Sequence, residues 1–320
     1  MEPSRNAIAV YRELAPCAAL AAHVHAFFTF GPVRASTRSP RAVLRETFFA
    51  PGDSFCAPLL ADGNVSLVLS SGMTCELGGR WRTDPSGPSG RVIGPMTMVG
   101  ETDVRECAEG VGVYFRPAQA ATFVGMPVGE LTDRIIGTDD AWGVVGRSLA
   151  SELAELDDDR ARVDRLECAL LEQLAGDRSR LVGIDVAGLA RLVLDSAGRV
   201  TVQSLAAAAG VSRQHLARVF RDRIGLAPKT YCSLVRFQSG LVYAGRDGVD
   251  WAQTAAALGY ADQSHMIAEF RRFSSLTPQM LAAGGWFHPF IERARGRSPI
   301  TRASHAARAT AAYASRNWIG

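Results

Sequence analysis

Lysine is almost missing from this chain of 320 residues. Lys229 is the only one, and every other fixed positive side chain is an arginine. Beside abundant alanine and glycine, that skew is what a GC-rich coding bias produces, so arginine content by itself carries no functional meaning. No apolar run approaches the roughly 20 residues that cross a bilayer. Met1-Glu-Pro-Ser-Arg5 lacks the apolar core of a secretory leader, which points to the cytoplasm. The cysteines Cys17, Cys56, Cys75, Cys107, Cys168 and Cys232 form no C-x-x-C pair. They read as free, mostly buried thiols in a reducing compartment. No glycine-rich phosphate loop follows a strand; Gly78-Gly79 and Gly284-Gly285 fit hinges. His23 and His25 alternate on one strand face, without the further Glu and His that a metal site would need. Nothing in the sequence brings Asp53, Asp62 and Glu101 together, and Asp62-Gly63 reads as a turn. These absences exclude the usual signatures of an enzyme, so no catalytic residue, metal or cofactor is expected.

What is there suits folded domains. Hydrophobic residues make up 47% of the chain and charged ones 21%, which argues against wholesale disorder. The length allows two domains, each with its own core. Net charge is only +3, weak for a nucleic-acid binder taken whole. Its distribution is more telling. Between Arg199 and Arg272 basic residues outnumber acidic ones. After Glu292 come Arg293, Arg295, Arg297, Arg302, Arg308 and Arg316 with no acid. The middle, with Glu152, Glu155, Asp157, Asp158 and Asp159, is acidic. Such a split suits one end that faces DNA and one that stays off it.

The stretch from Val202 to Leu281 contains one pattern twice. The first copy runs Leu205-Ala-Ala-Ala-Ala-Gly210, then Ser212-Arg-Gln-His-Leu216-Ala-Arg-Val-Phe220, and closes at Gly225-Leu-Ala-Pro228. The second runs Thr254-Ala-Ala-Ala-Leu-Gly259, then Asp262-Gln-Ser-His-Met266-Ile-Ala-Glu-Phe270, and closes at Ser275-Leu-Thr-Pro278. Each reads as a helix-turn-helix. Gly210 and Gly259 permit the sharp turn. Ser212 and Asp262 are N-cap residues. Leu216 with Phe220, and Met266 with Phe270, sit one turn apart and anchor the second helix. The other face carries Arg213, Gln214, Ala217, Arg218 and Arg221 in the first copy. In the second it carries Gln263, Ser264, His265, Ile267, Arg271 and Arg272. Arg and Gln can bond base edges in bidentate fashion, and further arginines can meet phosphates.

This doubled motif, with Pro228-Lys-Thr-Tyr231, Arg236-Phe237 and Gly259-Tyr-Ala-Asp-Gln-Ser-His265, resembles the AraC/XylS class of bacterial transcription regulators. The resemblance implies two recognition helices joined by a long helix and entering successive major-groove segments. It makes Arg213, Gln214, Ala217 and Arg218, and Gln263, Ser264, His265 and Ile267, the base-facing set. Three departures stand out. Ser275 replaces the usual Gly, Ala268 replaces a common basic residue, and Gly240 interrupts the connecting helix at about 1 kcal/mol relative to Ala.

The first part of the chain reads as β. Tyr11 to Pro16 leads into a short Ala-rich helical turn, and His23 to Phe30 is a strand. Ser36 to Arg41 is expected as a loop. Ala61-Asp62-Gly63-Asn64 is a turn before a strand at Val65–Ser70, which Ser71-Gly72 ends. Cys75 to Trp81 is a further strand and Thr83 to Gly90 a loop. Val104 to Ala108 and Val111 to Phe115 are expected as separate strands. Helix begins after Arg116-Pro117. Two amphipathic helices follow over Asp139 to Leu174, then another over Val182 to Ser196.

Ala61-Asp-Gly63, Gly94-Pro95, Tyr114-Phe-Arg-Pro-Ala118 and Glu130-Leu-Thr-Asp-Arg134 resemble the amino-terminal domain of one subgroup of AraC-type regulators. The resemblance implies a cupin-like module that binds an effector or dimerises. The expected fold is therefore α+β. Residues 1–135 form an antiparallel β-barrel or sandwich with flanking helices, and 136–197 a helical connection. Residues 198–285 form an all-α double helix-turn-helix domain, and 286–320 a basic tail. The expected partner is double-stranded DNA, with a small-molecule effector, RNA polymerase and a second copy of the chain as candidates and no membrane. The alternatives are a regulator whose β domain only dimerises, or an enzyme with a DNA-binding appendage.

Overall fold

The computed structural model describes residues 9–32, 43–49, 57–59, 61–77, 88–176, 183–244 and 249–284. The expected loop at 36–41, most of that at 83–90, the Asp53 and Glu101 side chains, and the tail 286–320 lie outside the described residues.

Among the described residues, eight antiparallel strands form one sheet. They are β1 (Ala9–Leu14), β2 (Val24–Pro32), β3 (Val43–Phe49), β4 (Ala57–Leu59), β5 (Ser66–Leu77), β6 (Ser89–Ile93), β7 (Gly100–Phe115) and β8 (Ile135–Gly137). The order is β3-β1-β2-β7-β5-β6-β8, with β4 also paired to β7. Tyr11 therefore sits in a strand, where the sequence suggested only a lead into helical turn. It pairs with Phe30 of β2 on one side and Thr47 of β3 on the other. The break expected at Ser71-Gly72 is a register shift inside β5. The gap expected after Ala108 is absent. β7 continues through Gly110, which pairs with Phe30 of β2 and with Ser70 of β5. Pairing on both sides outweighs the weak local strand preference of these residues.

Period-2 alternation gives the sheet two apolar faces. Leu14, Phe27, Leu67, Val92 and Val113 lie on one. Tyr11, Phe28, Phe30, Val68 and Ile93 lie on the other. The first face is covered by helices: α1 (Ala121–Val124), α3 (Val144–Ala154) and α4 (Asp159–Gly176), with α2 (Thr138–Trp142) leading in. Leu149, Leu153, Val163, Leu166 and Leu170 are almost fully buried there. The stretch 139–174 thus holds three helices, because the chain turns at Gly143 with φ 60° as well as after Ala154. Polar contacts pin α4 to the strands. The Arg162 guanidinium, 3% exposed, meets Glu109 at 3.0 Å. Asp159 accepts from Arg12 and from Thr29, each at 3.1 Å.

The remaining helices build a second core. They are α5 (Val186–Asp195), α6 (Val202–Ala208), α7 (Arg213–Ile224), α8 (Pro228–Ala244), α9 (Trp251–Ala257), α10 (Gln263–Ser274) and α11 (Pro278–Gly284). Leu189 and Val193 of α5 join that core. The helices between 136 and 197 therefore divide, α2 to α4 serving the sheet and α5 serving the α domain. Gly240 does not interrupt α8, which runs through it. Phe237 and Leu234, both 0% exposed, lie at the centre of this core.

Candidate nucleic-acid interface

The two copies fold alike because their local signals are alike. α6 and α9 have 7 residues each, and α7 and α10 have 12 each. Gly210 (φ 65°) and Gly259 (φ 77°) make the turns in the left-handed region, where a side chain would be strained. Ser212 Oγ accepts from the His215 amide at 3.2 Å, and Asp262 Oδ1 from the His265 amide at 2.7 Å. Each cap satisfies an amide that has no partner within its helix. Leu216, Phe220, Met266 and Phe270 are all 0% exposed. These anchors fix the rotation of α7 and α10, and so decide which side chains face outward.

On α7, Arg213, Gln214, Arg218 and Arg221 are exposed and Ala217 is half-buried. On α10, Ser264, His265, Arg271 and Arg272 are exposed, and Gln263 and Ile267 are half-buried. The structure splits the α10 set into two stripes. Gln263, Ser264, Ile267 and Arg271 share one side of the helix. His265 and Arg272 lie on the other with Ala268 and Glu269. There they line a cleft of about 440 Å³ against Lys229, Thr230 and Ser233 at the start of α8. His265 is tied locally. Its Nδ1 accepts from the Ala261 amide at 3.5 Å, and its ring meets Tyr260 edge-on at 5.4 Å. Arg272 lies over the Phe273 ring at 5.0 Å. Lys229, Thr230 and Ser233 were not among the site residues expected from the sequence. Their signals were position, in the first two turns of the helix joining the repeats, and, for Lys229 and Thr230, the Pro228-Lys-Thr-Tyr231 motif.

The other candidates separate. His23 precedes β2; its Nδ1 lies 2.9 Å from Gln119 Oε1, with the ring edge-on to Phe123. No cluster of three potential metal ligands occurs among the described residues. Of the cysteines, Cys17 is half-buried, Cys168 exposed and Cys232 buried, all as free thiols. Cys232 donates to the Val200 carbonyl at 3.7 Å, and burial pushes its thiol up to about 11. No helix among the described residues is long and apolar enough to cross a membrane.

Residues 205–283 match the family model described as a helix-turn-helix domain, and residues 12–137 match a domain of unknown function (DUF6597). No curated protein matches the chain. Among solved structures, it is similar to a transcriptional regulator with an AraC-type DNA-binding domain from Chromobacterium violaceum. The identity is 21%, over 33% of this chain and 89% of that one, with a TM-score of 0.28. It is similar to the C-terminal domain of AraT, a response regulator from Geobacillus stearothermophilus. There the identity is 18%, over 35% of this chain and 93% of that one, with a TM-score of 0.31. ToxT from Vibrio cholerae O395, bound to (E)-4-(8-methylnaphthalen-1-yl)but-3-enoic acid, is 11% identical over 72% of this chain and 94% of that one, with a TM-score of 0.40. At such scores the assignment rests on the sequence match and on the doubled motif. Residues 205–283 thus match a helix-turn-helix domain and carry its pattern twice, behind residues 12–137 that match a domain of unknown function.

Proposed function

We propose that this protein reads a DNA site with α7 and α10 as two heads, placed in successive major-groove segments about one helical turn, near 10 bp, apart. Gln214 and Gln263 read base edges, and Arg218 and Arg271 hold phosphates. Arg213, Ala217, Arg221, Ser264 and Ile267 complete the two faces, and His265 and Arg272 flank the second from the cleft. The observation that carries this reading is the repeated placement of two equally long, equally capped helices whose outward faces bear Arg and Gln.

Under the same reading, the β domain binds a small-molecule effector that shifts the population of DNA-competent states. Buried polar side chains among its apolar residues support this role. Arg91, 3% exposed, donates to Ser70 at 3.2 Å and to Ser89 at 2.8 Å. Tyr11 donates to the buried Glu13 at 2.8 Å. Such groups within an apolar cluster suit ligand recognition. Val144 and Val145, 74% and 52% exposed at the start of α3, support contact with a second copy. The protein acts in the cytoplasm on double-stranded DNA, with RNA polymerase as its downstream partner, and without catalysis or cofactor.

The test is selection of genomic fragments by the purified protein at defined salt, followed by sequencing. Enrichment of a site with two constrained patches one turn apart is the expected outcome. Binding without enrichment at every salt concentration would sink the reading.

A further inference from the structure

We propose that the Ala61–Asn64 turn and Thr132 of the β domain together form a brace that holds the two reading heads at one separation, and so sets the spacing of the DNA site. This rests on the DNA-reading role proposed above and adds a specificity element outside the helix-turn-helix domain.

The turn is fixed in its own domain. Asp62 and Met96 exchange backbone hydrogen bonds, at 3.0 Å from the Asp62 amide and 2.6 Å from the Met96 amide. Asp62 Oδ1 also accepts from the Asn64 amide at 3.2 Å and its side chain at 2.7 Å. From this base the turn reaches into the α domain. Ala61 is 0% exposed and belongs to the core of the helices, not to that of the sheet. Its amide donates to the Phe273 carbonyl at 3.4 Å, in the last turn of α10. Gln238 of α8 donates to Asp62 Oδ1 at 3.2 Å. Gly63 lies against α8 so closely that a Cβ there would stand 2.9 Å from the Tyr231 ring and 3.3 Å from Leu234. Tyr231 is 2% exposed and Leu234 0%, so neither has room to yield.

The first head is gripped from the same side. Thr132, which follows the 3-10 turn Val128–Leu131, donates to the Gly225 carbonyl at 2.6 Å, at the end of α7. The same piece of the β domain holds Thr132 in place. The Asp133 amide donates to Pro95 at 2.8 Å, and the Asp133 carboxylate accepts from the Thr97 amide at 2.6 Å. Carbonyls at helix ends lack intrahelical partners. Here one such carbonyl from each recognition helix is satisfied by adjoining segments of a single sheet domain. Arg213, Gln214, Arg218 and Ser264 remain exposed. The β domain therefore grips the heads at their C-terminal ends and leaves the reading residues open.

Without this grip, α8 is the helix that joins one head to the other. With it, a site of the wrong spacing must break contacts with the β domain before both heads can dock. A brace of this kind makes binding sensitive to spacing while leaving each head's base preference alone.

The experiment uses the full-length chain and the genomic site found by selection, together with versions carrying one or two base pairs inserted between the patches. Wild type is expected to lose about tenfold in affinity per insertion, the cost of populating a minor head arrangement. Gln238→Leu, Thr132→Val and Gly63→Val are expected to flatten that profile to within about threefold, by raising the population of other arrangements. Base preference within each patch should be unchanged. Variants that fold, by circular dichroism, yet keep the wild-type profile overturn the brace, as does an equal loss of affinity at every spacing. Thr132→Val replaces a half-buried hydroxyl by a methyl of similar size, so it carries the test should Gly63→Val fail to fold. Should wild type select no site, the DNA-reading role fails. Amide hydrogen exchange without DNA then decides the brace. Faster exchange at the end of α10 in Gln238→Leu and at the end of α7 in Thr132→Val supports it, and unchanged exchange at either end overturns it.

Discussion

The ring of Phe270 fills the space beside Gly240 in which a Cβ would stand. A methyl there would lie 2.6 Å from Phe270 Cζ and 3.2 Å from Leu258 Cδ1. Phe270 is 0% exposed and also packs edge-on to Phe237 at 5.0 Å, so the ring cannot swing aside cheaply. Alanine gains about 1 kcal/mol of helix propensity over glycine. Overpacking a filled core costs about 1–3 kcal/mol. Gly240→Ala is therefore expected to lower the denaturation midpoint. A clear rise would show that the ring yields and that packing does not dictate glycine here.

Ser275 presents the opposite case. It closes α10 at φ 59°, the conformation that Gly225 adopts at the end of α7. A side chain in that region costs roughly 1–2 kcal/mol. Ser275→Gly should raise Tm by about 2–4 °C for a chain of this size. An unchanged or lower Tm by calorimetry would mean that the Ser275 side chain makes a compensating contact.

The thiols differ in reactivity. Cys168 is exposed, whereas Cys232 is buried. Burial raises the Cys232 thiol from 9.0 to about 11, with Arg236 pulling weakly the other way. Iodoacetamide at pH 8 should label Cys168 in the folded protein and spare Cys232, as mapped by mass spectrometry. Because the folded-state value is raised, the neutral thiol is favoured by folding. Its contribution is fully present below pH 9 and is lost as pH climbs through about 11. Burial and the charge of Asp62 push the Tyr231 phenol upward as well, so it adds to the alkaline loss. Stability that rises between pH 9 and 11 in urea titrations would contradict both.

On DNA, Arg218→Ala should weaken binding to all sequences. One phosphate contact fewer should also reduce the slope of log K against log salt by about 0.9. Gln263→Ala should relax preference at one position, at about 1–3 kcal/mol for a bidentate base contact. Binding isotherms on the selected and scrambled sites separate the two. Unchanged affinity and preference in both variants would sink the assignment.

The helix-turn-helix units are legible because their signals are local and written twice. Ser212 and Asp262 cap the amide three residues ahead, and Gly210 and Gly259 make the turns beside them. Strand limits are less legible because partners decide them. β5 passes Ser71 and β7 passes Gly110 through pairing with strands tens of residues away. Gly240 carries a helix-breaking signal whose answer, Phe270, lies 30 positions on. Asp62-Gly63 has a sufficient local explanation as a turn, and that explanation hides its other role. The contact with Gln238 spans 176 positions, and no local pattern announces it. His265 and Arg272 count toward the reading face because the sequence places them away from the Met266 and Phe270 anchors, His265 also because the family resemblance implies it. The rotation that places them along the cleft depends on α8.

Ala61 completes a core built otherwise from helices beyond residue 183. The two halves are consequently poor candidates for exchange by simple fusion. A chimera that couples this helix-turn-helix unit to a foreign sensor would expose Tyr231 and Leu234 to water and leave the Phe273 carbonyl without its donor. Successful grafts should need the Ala61–Asn64 turn, or a replacement that fills the same notch, transplanted along with the helices.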